Sequence, residues 1–324
     1  MSRPTVRDTL HTVDVDAPPE LVYGLLADAT QWPHLFPPTV HVIREDAGPQ
    51  RERLRIWALA DGRLKSWTSL RELPAGRLHI AFRQEVSAPP VGSMAGSWEI
   101  TARIGGGSRV VLGHRFTAVA DDPDGLRWIE EATDRNSTSE LASLRAIAEE
   151  VADGTRHGEL LLSFEDSVLV QAPPQVVHDF LDRADLWPQR LAHVARVALT
   201  EDEPGRQVLE MDTRAPDGTT HTTRSFRVSL APHTLAYKQT TLPDALTVHT
   251  GRWMLDPYAE GGATHTRATS RHTVRLHPER ALALPGVRTL ADARAAVRAA
   301  IGGNSLATLR TAKRHLESAR LSAG

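Results

Sequence analysis

The chain repeats itself once. Residues 13–23 read VDVDAPPELVY and residues 168–178 read VLVQAPPQVVH, an offset of 155 residues. At that offset Trp32-Pro33 meets Trp187-Pro188, and Gly96-Ser97-Trp98 meets Gly251-Arg252-Trp253. One residue further, Asp61-Gly62 meets Asp217-Gly218, and Ser69-Leu70-Arg71 meets Ser225-Phe226-Arg227. With only seven tryptophans in 324 residues, two pairs in register mark a duplication. The period far exceeds the roughly 20–50 residues of stacked repeats, so two copies of a whole domain are expected. The junction belongs within 152–160, ADGTRHGEL, where a helical pattern ends in Asp-Gly. Domains at 1–153 and 160–324 follow.

Each half runs in the same order. A strand with alternating apolar residues (Val13 and Val15; Val168 and Val170) stops at Ala-Pro-Pro, which ends ladder bonding and suits a helix start. A short helix follows, carried by Leu21, Val22, Leu25 and Leu26 in the first half and by Val176, Val177, Phe180 and Leu181 in the second. After the Trp-Pro turn come several β-runs separated by turn signals such as Asp46-Ala47-Gly48-Pro49, Asp61-Gly62, Pro74-Ala75-Gly76 and Gly105-Gly106-Gly107. Each half closes on a long helix. The first has an apolar stripe of Leu141, Leu144, Ile147, Ala148 and Val151. In the second, Val297, Ile301, Leu306, Leu309 and Leu316 scatter around Gly302-Gly303, which is expected to bend or split it. The result is an α+β architecture in which a meandering antiparallel sheet is covered by its final helix.

Composition removes several function classes. A formal net charge of −2 lacks the basic surplus that nucleic-acid binding requires. The chain contains no cysteine, which rules out disulfides, thiolate metal sites and a thiol nucleophile. The N-terminus has no apolar signal stretch and no apolar run has bilayer length, so a cytoplasmic protein without a membrane partner is expected. Gly105-Gly106-Gly107 lies between β-runs without a following Gly-Lys-Ser/Thr, and no dinucleotide fingerprint or Gly-x-Ser-x-Gly elbow is present. The fifteen histidines form no recognised ligand spacing, so neither a metal nor another cofactor is expected.

The order of elements, the Ala-Pro-Pro start, Trp32-Pro-x-Leu-Phe36, Trp67-x-Ser69-x-Arg71 and Ser97-Trp98 resemble the bacterial type II polyketide aromatase/cyclases, which belong to the helix-grip (START-like) superfamily. The resemblance covers both halves and points to the di-domain subclass. It implies two tandem helix-grip domains, each a curved antiparallel sheet wrapped around a long C-terminal helix with an interior pocket. It further implies a poly-β-ketone substrate tethered to an acyl carrier protein, the other type II polyketide synthase components as partners, and formation or aromatisation of the first ring between the seventh and twelfth carbons.

That chemistry needs a carbon-bound proton removed, an enolate stabilised, one chain conformer enforced and water expelled. Trp67, Ser69 and Arg71 share one face of a strand by their i, i+2, i+4 spacing. Arg71 suits an anchor for a carbonyl or enolate oxygen and Ser69 a hydrogen-bond relay. A solvent-facing arginine on an edge strand is the plainer reading of the same pattern. Ser225 and Arg227 repeat the arrangement, with Thr223 where Trp67 stood. His114 alternates with Leu112 and Phe116 and suits proton transfer, although a core histidine satisfied by a neighbour explains it as well. Its counterpart is Ser270 or His272, depending on the gap chosen. Met94, Trp98, Phe116, Trp253 and His272 are expected to line the pockets, Phe36 the mouth, and Trp32 and Trp187 to fix the turns. Asn136-Ser137-Thr138-Ser139 faces the cavity or caps the closing helix, and sequence leaves both open. Arg51, Arg53 and Arg55 alternate on one strand face as a docking row for the carrier protein or as a solvated edge.

Because it keeps Trp67, Ser69, Arg71, Met94, Trp98 and His114, the first half is expected to carry more of the chemistry, with the second holding the chain or performing a separate dehydration. Two other functions fit the same fold: a non-catalytic carrier of a hydrophobic small molecule, and an interaction protein with a vestigial cavity. Arginine and histidine converging inside a pocket would favour chemistry.

Overall fold

The computed structural model describes residues 3–154, 157–214, 218–261 and 263–321. Asp217 of the second Asp-Gly pair and residues 155–156 of the expected junction lie outside the described residues. The chain separates into two compact units, residues 1–157 and 158–324.

The first unit runs β1 (Arg7–Val15), α1 (Pro19–Ala27), α2 (Trp32–Leu35), β2 (Thr39–Asp46), β3 (Arg51–Ala60), β4 (Arg63–Glu72), β5 (His79–Val86), β6 (Val91–Ala102), β7 (Ser108–Ala118) and α3 (Pro123–Asp153). The second runs from a one-turn helix α4 (His157–Leu160) through β8 (Leu161–Val170), α5 (Pro174–Asp182), α6 (Trp187–Arg190), β9 (Val194–Glu203), β10 (Arg206–Arg214), β11 (Thr220–Leu230), β12 (Thr234–Thr241), β13 (Leu246–Glu260), β14 (Ala263–Leu276), α7 (Pro278–Leu282) and α8 (Leu290–Leu321). Each sheet has seven antiparallel strands in the same order: β1-β7-β6-β5-β4-β3-β2 and β8-β14-β13-β12-β11-β10-β9.

Local chemistry places these elements. Pro19 and Pro174 open α1 and α5 at positions where a missing N–H costs nothing. Asp61 and Gly62 both take positive φ and close the β3–β4 hairpin. In the first unit Leu141, Leu144 and Ala148 of α3 pack on Val15, Ile100, Val110 and Leu112, so the closing helix seals the sheet's inner face. Fully burying a residue such as Leu144 contributes about 1.5–3 kcal/mol.

In the closing helices one open alternative is decided and one expectation is corrected. The helix α3 starts at Pro123, where the Asp122 carboxylate accepts from the Asp124 and Gly125 amides, so the polar run 136–139 is interior helix and not a cap. Its Ser137 is buried, and the Asn136 side-chain amide donates to the Leu59 carbonyl at 3.0 Å. The helix α8 passes through Gly302-Gly303 unbroken. Gly302 gives passage to the Arg298 side chain, which would meet a Cβ there and which reaches Asp166 at 2.7 Å. The glycine leaves room for that guanidinium and costs about 1 kcal/mol of helix propensity.

Candidate active site

Each unit encloses a cavity between its sheet and its closing helix. Both open partly to solvent, and the first is the larger of the two. The strand β4 sends Trp67, Ser69 and Arg71 to the first cavity together, as the alternation requires. Met94, Trp98, His114 and Phe36 also line it. Phe36, expected at the mouth, is fully buried instead and stacks on Trp98 with ring centroids 6.1 Å apart. Phe116, expected in the pocket wall, lies outside the lining in a separate apolar cluster with Ala118, Leu126 and Ile129. The α3 residues Asn136, Ser137 and Glu140 add a polar stretch on the helix side.

Arg71 is 1% exposed and lies over the Trp32 ring at 5.0 Å. Its Nε donates to Glu52 Oε1 at 2.6 Å, Nη1 to the Leu26 carbonyl at 2.9 Å and Nη2 to the Ala27 carbonyl at 2.6 Å, with a further Nη2–Glu52 contact. The two carbonyls belong to the last turn of α1, whose acceptors lack partners within the helix. Arg71 thus ties α1 to the sheet, and one of its five N–H groups remains for a cavity ligand. Burial lowers its pKa, and the Glu52 carboxylate opposes that shift. The solvated-edge reading of Arg71 is excluded by its burial. Ser69 lines the cavity with no side-chain partner among the described residues.

His114 is held 5.5 Å from the Phe82 ring, and its Nδ1 has no hydrogen-bond partner among the described residues. Burial, reinforced by His11, pushes its pKa down to about 4, so the imidazole is neutral near pH 7 and offers a lone pair. Trp32 donates from Nε1 to the Leu26 carbonyl at 3.2 Å, and Trp187 to the Phe180 carbonyl at 3.4 Å, which fixes both turns as expected. Of the arginine row, Arg51 pairs with Glu72 and Arg53 with Glu85, while Arg55 lies over Trp57.

In the second unit Ser225, Arg227, Trp253 and His272 all line the cavity. Arg227 is 1% exposed and repeats the tie to the preceding helix through the Leu181 carbonyl at 2.7 Å and the Asp182 carbonyl at 3.4 Å. Gln207, not a glutamate, stands opposite it in the ladder. Among the described residues Arg227 therefore has no carboxylate contact, and its Nε is buried without a partner. Burial lowers its pKa to about 10.

The ladder also decides the counterpart of His114. Gly96 pairs with His114 and Gly251 with His272, so His272 is the equivalent, not Ser270. Sequence reading missed the neighbours of His272. The Tyr237 hydroxyl lies 3.1 Å from His272 Nδ1, His249 Nε2 lies 3.2 Å from the same atom, and His249 Nδ1 lies 2.8 Å from Gln239 Oε1. All four line the cavity. The signal was present: Tyr237, Gln239 and His249 sit one offset beyond Phe82, Gln84 and Met94.

Two sheets that each grip a helix over a cavity walled by an arginine, a serine and a histidine define a duplicated helix-grip protein with two chambers. The chain belongs to the family described as "Polyketide cyclase / dehydrase and lipid transport", which it matches at residues 8–149 and again at 162–317. It is 44% identical over 311 residues to the granaticin polyketide synthase bifunctional cyclase/dehydratase of Streptomyces violaceoruber, covering 95% of this chain and 94% of that one. It is 41% identical over 323 residues to the actinorhodin polyketide synthase bifunctional cyclase/dehydratase of Streptomyces coelicolor, covering 96% and 98%. Among solved structures it resembles the di-domain ARO/CYC BexL of the BE-7585A biosynthetic pathway, with a TM-score of 0.81, 47% identity, and 95% and 98% coverage. The di-domain ARO/CYC StfQ of the steffimycin pathway matches with a TM-score of 0.83, 28% identity, and 96% and 99% coverage. Among the described residues no helix is long and apolar enough to cross a membrane.

Proposed function

We propose that this protein is a cytoplasmic, cofactor-independent polyketide aromatase/cyclase of antibiotic biosynthesis. Its helix-grip domains, residues 1–153 and 160–324, receive a poly-β-ketone from an acyl carrier protein within a type II polyketide synthase. The product is a first ring closed between the seventh and twelfth carbons and aromatised by loss of water. The relatives named as cyclase/dehydratases along nearly the whole chain support this reading. The single observation that carries it is the first cavity, where Trp67, Ser69, Arg71 and His114 line one pocket between sheet and closing helix.

The chamber supplies what ring closure needs. Trp67, Phe36 and Trp98 form a stiff aromatic wall against which a flexible ketone chain loses its alternative conformers. The neutral His114 imidazole accepts the acidic proton between two carbonyls. The Ser69 hydroxyl and the remaining Arg71 N–H face the enolate oxygen, where a donor is worth more than in water. A carrier of an apolar small molecule is the second reading, supported by the four Arg71 hydrogen bonds already made to the protein itself.

The test is a minimal synthase with its acyl carrier protein and malonyl-CoA, to which wild-type protein, Ser69→Ala or His114→Gln is added. One aromatised first-ring product, diminished in both variants, supports the reading. A shunt-product mixture that the wild type leaves unchanged, with the chain or its analogue bound and released intact, supports the carrier.

A further inference from the structure

The two cavities differ at a few equivalent positions, and the differences are chemical. In the first, Gln84 Nε2 meets the Met94 sulfur at 3.5 Å and Phe82 packs on His114. In the second, histidine replaces Met94 and tyrosine replaces Phe82, so a lone buried imidazole becomes the end of a hydrogen-bonded chain. We propose that the second domain holds a dehydration site in which the His272 imidazole and the Tyr237 hydroxyl exchange protons with the substrate, while His249 and Gln239 position His272. This rests on the cyclase/dehydratase reading above.

The contacts set the protons. The Gln239 Oε1 atom can only accept, so His249 carries its proton on Nδ1 and presents a bare Nε2. That bare nitrogen faces His272 Nδ1, which therefore carries the His272 proton. The lone pair is left on His272 Nε2, a buried atom with no partner among the described residues. With Nδ1–H donated, the Tyr237 oxygen receives part of that donation and its own hydrogen is unspent. Base and acid thus stand side by side on one cavity wall. Burial keeps all three groups neutral: His272 falls to about 4 and His249 to about 3, and Tyr237 is raised. Gly251, between Tyr237 and His272 in the ladder, has no Cβ to obstruct the tyrosine ring lying across it.

The substrate class is a cyclised β-hydroxy ketone, the alcohol that an aldol closure leaves. His272 Nε2 takes the proton from the carbon between alcohol and ketone. The C–H electrons become the enolate, with Arg227, which has no carboxylate contact among the described residues, lining the same cavity to stabilise the oxygen. Collapse of the enolate forms the C=C bond and breaks the C–O bond, and Tyr237 protonates the departing hydroxyl. The released water carries the proton from His272 Nε2 to the Tyr237 oxygen, which restores both groups and leaves one water as product.

The experiment uses the full chain and two substrates scored separately: a carrier-bound linear poly-β-ketone for ring closure, and a synthetic cyclic β-hydroxy ketone thioester for water loss. Tyr237→Phe and His249→Met install the residues of the equivalent first-domain positions and keep the cavity filled. On the cyclic alcohol Tyr237→Phe is expected to lower kcat about 100-fold, the scale of one general acid, with KM within about twofold. His249→Met lowers kcat about tenfold at unchanged KM and moves the His272 proton from Nδ1 to Nε2 in ¹⁵N spectra. Wild-type dehydration that both variants match within about twofold overturns the proposal, and so does a wild-type His272 protonated on Nε2. A wild type that converts neither substrate overturns the underlying cyclase reading as well. Ring closure without dehydration of the cyclic alcohol overturns this proposal alone.

Discussion

His114 and His272 occupy the same place in their two sheets, each opposite a glycine, Gly96 and Gly251, on the neighbouring strand. Phe82 lies beside the first histidine at a ring distance of 5.5 Å, whereas a tyrosine hydroxyl lies 3.1 Å from the second. Duplication preserved the scaffold, and substitution at its inner face gave the two histidines different hydrogen-bonding surroundings.

The glycine between the two rings is a steric requirement. A Cβ at Gly251 would run into the Tyr237 ring, and one at Gly96 would come within 2.5 Å of Phe82 Cζ. Gly251→Ala is expected to displace Tyr237 and to destabilise the protein by about 1–3 kcal/mol in urea denaturation. An unchanged denaturation midpoint would show that the ring has free room elsewhere.

The two arginine clamps differ in charge balance. Glu52 is the only carboxylate touching Arg71 among the described residues, and both groups are largely buried. Glu52→Ala leaves a buried guanidinium without its counter-ion and is expected to cost about 3–5 kcal/mol. Gln207→Ala removes a side chain bonded to Asp182 and Glu201, not to Arg227, and should cost about 1 kcal/mol. Paired urea titrations check the asymmetry, and equal losses would contradict it.

Stability should fall on mild acidification. His114 and His272 have folded-state values near 4 and His249 near 3, below the ordinary 6.5. Between about pH 6.5 and 4 the unfolded chain binds protons that the folded chain refuses. The stabilisation is therefore complete above pH 6.5 and is lost as the pH drops, by up to about 1.4 kcal/mol per unit for each histidine. Melting temperature measured from pH 7.5 to 5 should decline, and His114→Gln should flatten the slope. A slope that the variant leaves unaltered would mean His114 is protonated in the fold.

Much of this was legible in the sequence. The duplication, the strand-helix-sheet-helix order and the shared face of Trp67, Ser69 and Arg71 all follow from periodicity and a repeated tryptophan register. The clamp role of Arg71 was not legible, because the Leu26 and Ala27 carbonyls it binds are backbone atoms that leave no residue signature. The Tyr237–His272–His249 chain was missed for a related reason: its members lie on three strands, and only the ladder register brings them together. Phe116 alternates with His114 yet packs elsewhere, because strand alternation fixes a face and not the neighbour that covers it. The Gly302-Gly303 pair misled as a helix breaker because the flanking sequence carries the helix through both glycines, and at Gly302 the Arg298 side chain occupies the space a Cβ would take.

The most direct test of the central claim is the intact mass of an acyl carrier protein bearing a full-length poly-β-ketone, followed before and after addition of this chain. Cyclisation with dehydration predicts a carrier-bound species lighter by water, releasing a single first-ring aromatic product on hydrolysis. A mass that stays unchanged while the chain binds the carrier or its cargo would contradict the enzymatic account.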